Sequence, residues 1–95
     1  MAANTGVRSC HATLTANTAD TFDLTADGFD FIEIANSGTV VAYFRTDGTT
    51  AVVAADETRA LLAGERRTLK VGHAGAFNLI SVISTGTPTI HVEGF

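Results

Sequence analysis

The residue types that could carry chemistry in this chain are one cysteine, three histidines and a local group of acids. Cys10 and His11 are neighbours in a segment that alternates like a β-strand, so we expect their side chains on opposite faces. A nucleophile and its base must instead lie within hydrogen-bond reach of each other. The pair therefore predicts a buried structural cysteine beside a surface histidine. With a single cysteine, no disulfide can form within the chain.

The histidines do not form a local metal-binding motif. His11, His73 and His91 lie far apart in the sequence, and no pair has the i, i+2 or i, i+4 spacing of a local site. Only folding could bring them together. The residues therefore predict no metal site and no cofactor.

Two further patterns resemble ligand-binding motifs but lack features that those motifs require. Asp23, Asp27, Asp30 and Glu33 gather around a predicted turn, but they lack the dense oxygen ligands of a calcium loop and predict a solvated edge. Residues 72–75, Gly-His-Ala-Gly, do not precede a helix and lack the lysine and the spacing of a phosphate loop. We therefore expect no enzymatic activity.

Length and charge narrow the class of protein. A chain of 95 residues predicts one domain. The net charge is −4, and only Arg66, Arg67 and Lys70 form a basic cluster, which argues against a nucleic-acid partner and against an anionic membrane surface. The first residues lack the charged start and apolar core of a signal peptide. We therefore expect a soluble protein made in a cytoplasm.

The elements that must position these residues are predicted to be short strands, because threonine and valine are abundant and favour β structure. The central feature is residues 29–48, where two apolar runs, Phe29–Ala35 and Thr39–Arg45, flank the turn residues Asn36, Ser37 and Gly38. This pattern predicts a β-hairpin.

Alternation within the second run predicts which side chains share a face. One face carries Val40, Ala42 and Phe44, and the other carries Val41, Tyr43 and Arg45. Because both faces are largely apolar, we expect a central strand whose outer face is covered by a loop or by a partner.

The remaining chain predicts further strands over residues 7–15, 18–25, 65–71, 76–84 and 89–93, and it allows one more short strand over Ala51–Ala54. Phe22 and Leu24 alternate with polar residues, and we expect Ile90 and Val92 to face inward and His91 and Glu93 outward. The total is about eight short strands, which is typical of an all-β fold: a small antiparallel β-sandwich or a jelly-roll-like barrel.

Two segments do not fit this regular pattern. Residues 1–6 predict an arm rather than a strand, lying either on a neighbouring subunit or back on its own domain, so the chain divides into an arm, 1–6, and a single β-sandwich domain, 7–95. Asp56–Ala63 allows one or two helical turns. We favour an irregular or extended segment there, with Leu61 and Leu62 packed inward.

Four stretches, taken in order, carry a resemblance that covers most of residues 12–94. They are TLTANTADTFDLT, FIEIANSGTVVAYFRTDG, LLAGE and NLISVISTGTPTIHVEG. With them the chain resembles small β-sandwich structural proteins from the virions of tailed bacteriophages. The residues that match are turn and core residues: Asn36, Gly38, Tyr43, Phe44, Asp47, Gly48, Ile83, Ser84, Gly86, Thr87, Pro88 and Thr89.

The resemblance implies a virion structural protein without catalytic activity. The role that the resemblance favours is that of a capsid decoration protein on the head exterior. Such a protein binds the shell of major capsid protein and stabilises the outer surface of that shell. A homo-oligomer, such as a trimer, would multiply weak contacts. The alternative is a minor tail, head–tail or fibre-associated module.

Candidate contact residues come from the arm, the outer face of the predicted hairpin, a basic pair that could meet an acidic shell surface, and the exposed last aromatic residue. They are Ala2, Ala3, Asn4, Val7, Val41, Tyr43, Arg45, Arg66, Arg67 and Phe95.

Overall fold

The computed structural model describes residues 3–25, 29–46, 50–53, 58–70 and 79–95. The all-β prediction is confirmed, with nine strands and no helix in these ranges. The described residues accordingly contain no helix that is long and apolar enough to cross a membrane. The strands are β1 (Ala3–Gly6), β2 (Ser9–Thr13), β3 (Asp20–Leu24), β4 (Phe31–Asn36), β5 (Ala42–Arg45), β6 (Arg59–Leu61), β7 (Arg66–Lys70), β8 (Leu79–Ser84) and β9 (Thr89–Gly94).

The strands form two sheets that enclose one main core. The five-stranded sheet has the order β1-β3-β8-β5-β6, and the four-stranded sheet has the order β2-β9-β4-β7. Neighbouring strands are antiparallel except β1 and β3, which are parallel. This is the arrangement of a small β-sandwich.

The core is built from the inward-facing residues of both sheets. Phe22 on β3 and Phe44 on β5 join Ile34 on β4 and Ile90 on β9 in one buried cluster. Burying a side chain of this size stabilises the fold by roughly 1.5–3 kcal/mol. The predicted alternation is confirmed in β3 and β9, where Phe22, Leu24, Ile90 and Val92 are buried and His91 and Glu93 are exposed. It is also confirmed in β5, where Ala42 and Phe44 are buried.

The predicted central hairpin is wrong. β4 pairs with β7 and β9 in the four-stranded sheet, whereas β5 pairs with β6 and β8 in the five-stranded sheet. The segment Asn36–Gly38 is therefore a crossover between sheets and not a hairpin turn. Turn chemistry at these residues indicated a reversal of the chain, but it could not indicate which strands pair.

The expectation that residues 1–6 form an arm rather than a strand is wrong for Ala3–Gly6. These residues form β1, which pairs with β3 from Ala3↔Thr21 to Gly6↔Leu24. The Asn4 side chain also donates a hydrogen bond to the Thr21 carbonyl oxygen at 3.3 Å. The sequence did not indicate this edge strand, because its residues are small and mostly polar and show little apolar alternation.

The segment before β7 is partly as expected. Within residues 58–64 the chain is extended or turned, and Leu61 on β6 is fully buried. The expectation for Leu62 is wrong, because its side chain is 59% exposed. Residues 54–57, which include Asp56 and the end of a suggested strand over Ala51–Ala54, lie outside the described residues.

The crossover end of the sandwich is held by Asn36, which is 1% exposed. Its Nδ2 donates to the carbonyl oxygens of Val40 at 2.8 Å and Leu61 at 3.1 Å, and its Oδ1 accepts from the Gly38 N–H at 2.9 Å. Asn36 N–H also donates to Glu65 O at 2.9 Å. One residue thus ties β4 to the chain entering β5, to β6 and to the start of β7.

We predict that Asn36→Ala lowers the free energy of unfolding by about 2–3 kcal/mol, because it leaves buried carbonyl groups without their donor. For a domain of this size the melting temperature should fall by about 10–20 °C. Thermal and urea unfolding followed by circular dichroism measure both quantities.

Ser37→Ala is the matched control, because Ser37 is next in the chain but exposed. We expect its effect to stay within about 0.5 kcal/mol. Equal losses for the two variants would contradict the role assigned to the buried amide.

Candidate functional site

A shallow groove crosses the outer face of the four-stranded sheet. We call it the polar groove, and its volume is about 440 Å³. Its polar lining includes Ser9, His11, Ser37, Arg66, His91 and Glu93. These side chains are brought together by register, because outward positions on β2, β9, β4 and β7 form rows across the sheet.

Two histidines lie side by side in this groove. His11 on β2 is the direct register partner of His91 on β9, and their rings stack with centroids 5.3 Å apart and an interplanar angle of 25°. Ser37 Oγ lies 3.3 Å from His91 Nε2. Sequence reasoning missed this pair because 80 residues of chain separate two outward positions; only the strand pairing joins them.

The basic pair is split between two environments. Arg66 points to the outer face, where its side chain is 73% exposed and pairs with Glu33 at 3.0 Å. Arg67 is more buried, pairs with Glu65 at 3.0 Å and lies 5.7 Å from the centre of the Phe44 ring. The two guanidinium groups therefore do not form one basic patch.

The structure confirms that Cys10 and His11 point to opposite faces of β2, but Cys10 is not fully buried as predicted. Cys10 is half-buried and packs against the main core, while the next side chain is exposed. Burial raises the pKa of the Cys10 thiol above its ordinary value, with a smaller contribution in the same direction from the nearby charge of Asp23, and a backbone hydrogen bond opposes the rise. A raised pKa makes the thiol a weak nucleophile near neutral pH.

The acids do not assemble into a cation site within the ranges that the structure describes. No group of three or more His, Cys, Asp or Glu side chains there is arranged to hold a metal ion. Asp23 lies on β3 and Glu33 on β4, which belong to different sheets. Asp27 and the Gly-rich segment 72–75, with His73, lie outside the described residues.

The end of the sandwich opposite Asn36 carries exposed apolar side chains. Phe31 and Phe95 stack there with ring centroids 5.6 Å apart, and they are 38% and 54% exposed. Val7, in the short connection between β1 and β2, is 64% exposed. We call these three residues the aromatic end.

Backbone hydrogen bonds fix the position of the aromatic end. Phe95 N–H donates to Phe31 O at 2.9 Å, and Phe31 N–H donates to Phe95 O at 2.8 Å. Gly94 N–H donates to Arg8 O at 2.8 Å, which brings the residue after Val7 to the same end. The apolar rings are therefore presented on a rigid part of the sheet.

The predicted contact residues Val41, Tyr43 and Arg45 are less accessible than Val7 and Phe95. Tyr43 is half-buried against a small cluster of Ala19, Ala51 and Ile83, and Val41 and Arg45 are also half-buried. Ala3 and Asn4 lie in β1, whereas Ala2 lies outside the described residues.

Phe31 is the contact candidate that the sequence analysis missed. It lies within the predicted apolar run Phe29–Ala35, and in the structure β4 buries Ile32, Ile34 and Asn36 while the Phe31 side chain points outward. The alternation starting from Ile32 was the available indication.

Comparisons with known proteins add no relative: no protein-family model, curated protein or solved structure gives a significant match to the chain.

We predict a pH effect at Glu65, which lines the polar groove. Its Oε1 accepts from the Leu62 N–H at 2.7 Å and its Oε2 from Arg67 at 3.0 Å, and these bonds hold the pKa of this carboxyl below its ordinary value of 4.5. Because the folded-state pKa is the lower one, the stabilisation is present above about pH 4.5 and is lost as the pH falls through the folded-state value.

Glu65→Gln keeps the shape of the side chain but removes this titration. The wild type should therefore be the more stable protein at pH 6, and the difference should shrink between pH 4.5 and pH 3 in urea unfolding experiments. A difference that stays constant over this range would contradict the assignment.

Proposed function

We propose that this protein is a structural virion protein of a tailed bacteriophage that decorates the head shell and has no catalytic activity. The resemblance in the sequence suggests the class of protein. The observation that carries the proposal in the structure is the aromatic end, Val7, Phe31 and Phe95, which is exposed on an otherwise well-packed sandwich.

Exposed aromatic residues at a fixed position are the usual anchors of protein contacts. Aromatic side chains contribute a large contact area at a low cost in conformational entropy, and interface hot spots are enriched in large, well-packed residues. Reciprocal backbone hydrogen bonds between Phe31 and Phe95 hold the stacked rings before any partner binds. Pre-organisation of this kind lowers the cost of association.

Charge around the aromatic end suggests the chemistry of the partner surface. Arg8 follows Val7 directly, and Lys70 is the register partner of Phe31; both are exposed. Asp30, which precedes Phe31 and donates its N–H to Phe95 O at 2.9 Å, is exposed as well. An apolar centre with charged neighbours of both signs fits a shell surface that is apolar and bordered by complementary charges. The partner in this proposal is the major capsid protein, on the exterior of the head.

Oligomer formation is part of the same proposal. A homo-oligomer, for which a trimer over a three-fold position of the shell is the arrangement suggested by the resemblance, would repeat one small contact several times. Linked contacts of this kind raise the overall affinity without new chemistry. β1 is an edge strand of the five-stranded sheet, so its free side is a second candidate for contact between copies.

The alternative is a minor tail, head–tail or fibre-associated module. A module that grips glycans would need exposed aromatic platforms for sugar rings. The chain has one tyrosine and no tryptophan, and Tyr43 is half-buried against Ala19, Ala51 and Ile83. The exposed rings, Phe31 and Phe95, have no hydroxyl or N–H group with which to hydrogen-bond a sugar, so we favour decoration over a glycan-binding role.

A rebinding experiment tests the proposal. Heads assembled without this chain are incubated with the purified protein, and binding is compared with that to isolated tails. We predict saturable binding to heads, weakened at least about tenfold in the double variant Val7→Ser/Phe95→Ser, because it removes apolar anchors without disturbing the core.

Val52→Ser/Leu62→Ser is the matched control. These side chains are also exposed, at 56% and 59%, but they lie outside the aromatic end, so binding should change by less than about twofold. Binding to tails alone would favour the alternative. Binding to neither particle would contradict a virion role, and equal weakening by both double variants would contradict the aromatic end as the contact.

A further inference from the structure

The stacked histidines in the polar groove play no part in the proposed capsid contact. His11 and His91 are both exposed and face each other directly across β2 and β9. Imidazole prefers divalent transition-metal ions such as Zn²⁺, Ni²⁺ and Cu²⁺. The geometry points to a two-imidazole chelate, in which His11 and His91 together bind one such ion on the outer face of the sheet.

The separation of the two imidazole rings fits coordination of both rings to one metal ion. With a metal–nitrogen distance of ~2.0–2.1 Å and a ring centre about 1.1 Å beyond the nitrogen, two imidazoles on one tetrahedral ion have centroids about 5.2 Å apart. The observed separation is 5.3 Å. The planes are inclined by only 25°, so the His11 ring must turn about its Cβ–Cγ bond, a rotation with a broad, shallow energy profile.

The backbone around the pair is fixed, so this separation does not depend on the rings alone. β2 and β9 stay in register from Ser9↔Glu93 to Thr13↔Thr89. At one end of the register the Thr13 and Thr89 hydroxyl oxygens lie 2.9 Å apart. A rigid pair of strands reduces the entropy that two ligands lose when they bind one ion.

Ser37 supplies the outer partner that metal-binding histidines commonly have. Its hydroxyl lies 3.2 Å from Thr89 O and 3.3 Å from His91 Nε2. A carbonyl oxygen can only accept, so the hydroxyl proton goes to Thr89 O and Ser37 Oγ accepts from His91 Nε2–H. This arrangement leaves the lone pair on His91 Nδ1 for a metal ion.

The local charge favours a cation. Glu93 and Glu33 are register partners in the next row of the same outer face, and Arg66 is engaged by Glu33 at 3.0 Å. Because the residues described by the structure contain no third protein ligand in reach, water or a group from another molecule completes the coordination. The site is open, and the Irving–Williams order predicts tighter binding of Ni²⁺ than of Co²⁺, with Cu²⁺ tighter still.

Calorimetric titration of the chain with NiCl₂ and with ZnCl₂ at pH 7.5, in a buffer that does not bind metals, tests the inference. We expect saturable binding of one ion per chain, and a rise in melting temperature with each metal. His11→Ala and His91→Ala should each abolish both effects.

His73→Ala and Cys10→Ser are matched controls, since they remove the third histidine and the one thiol. Both should bind like the wild type. The inference is overturned if the wild type shows no saturable binding, if either His11→Ala or His91→Ala keeps wild-type affinity, or if a control variant loses binding. Melting of every variant in EDTA shows that lost binding is not lost folding. None of these outcomes depends on whether the protein decorates a capsid.

Discussion

The buried amide of Asn36 is the interaction on which the arrangement of the two sheets depends. The chain leaves the four-stranded sheet after β4 and enters the five-stranded sheet at β5, and Asn36 satisfies backbone groups on both sides of that crossing. Ser84 plays a similar part nearby, donating to Val41 O at 2.7 Å and accepting from Gly86 N–H at 3.1 Å. A buried polar group without such partners would destabilise the fold. The exposed apolar residues of the aromatic end lie at the opposite end of the sandwich.

Sequence reasoning succeeded where the determining information is local. Alternation in β3 and β9 correctly predicted which residues are buried, and alternation in β5 correctly grouped Ala42 with Phe44, because side chains in a strand alternate between faces. Sequence reasoning did not predict which strands pair. The turn residues at Asn36–Gly38 predicted a reversal of the chain, but the strands on either side, β4 and β5, belong to different sheets. Gly38 illustrates the reason, since a Cβ atom there would lie 2.5 Å from the Cβ of Pro88. That contact depends on a loop 50 residues away in the chain.

The aromatic end was partly predictable from the sequence, whereas the histidine pair of the polar groove was not, because it depends on which strands pair. Val7 and Phe95 were contact candidates from the sequence, and both are exposed. Phe31 joins them only because β4 turns it outward, beside the last residue of the chain. The histidine pair exists only through the register of β2 and β9. The aromatic end and the polar groove are two distinct surfaces of one sandwich, the first carrying the proposed shell contact and the second the proposed metal site.

The most direct test of the account is the copy number and location of the chain in virions. Purified particles are separated into tail-less heads and isolated tails, and the chain is quantified in each fraction by mass spectrometry against the major capsid protein. A decoration protein should be present in hundreds of copies on heads and nearly absent from tails, because it binds a repeated shell surface. A few copies confined to tails, or absence from both fractions, would contradict the account.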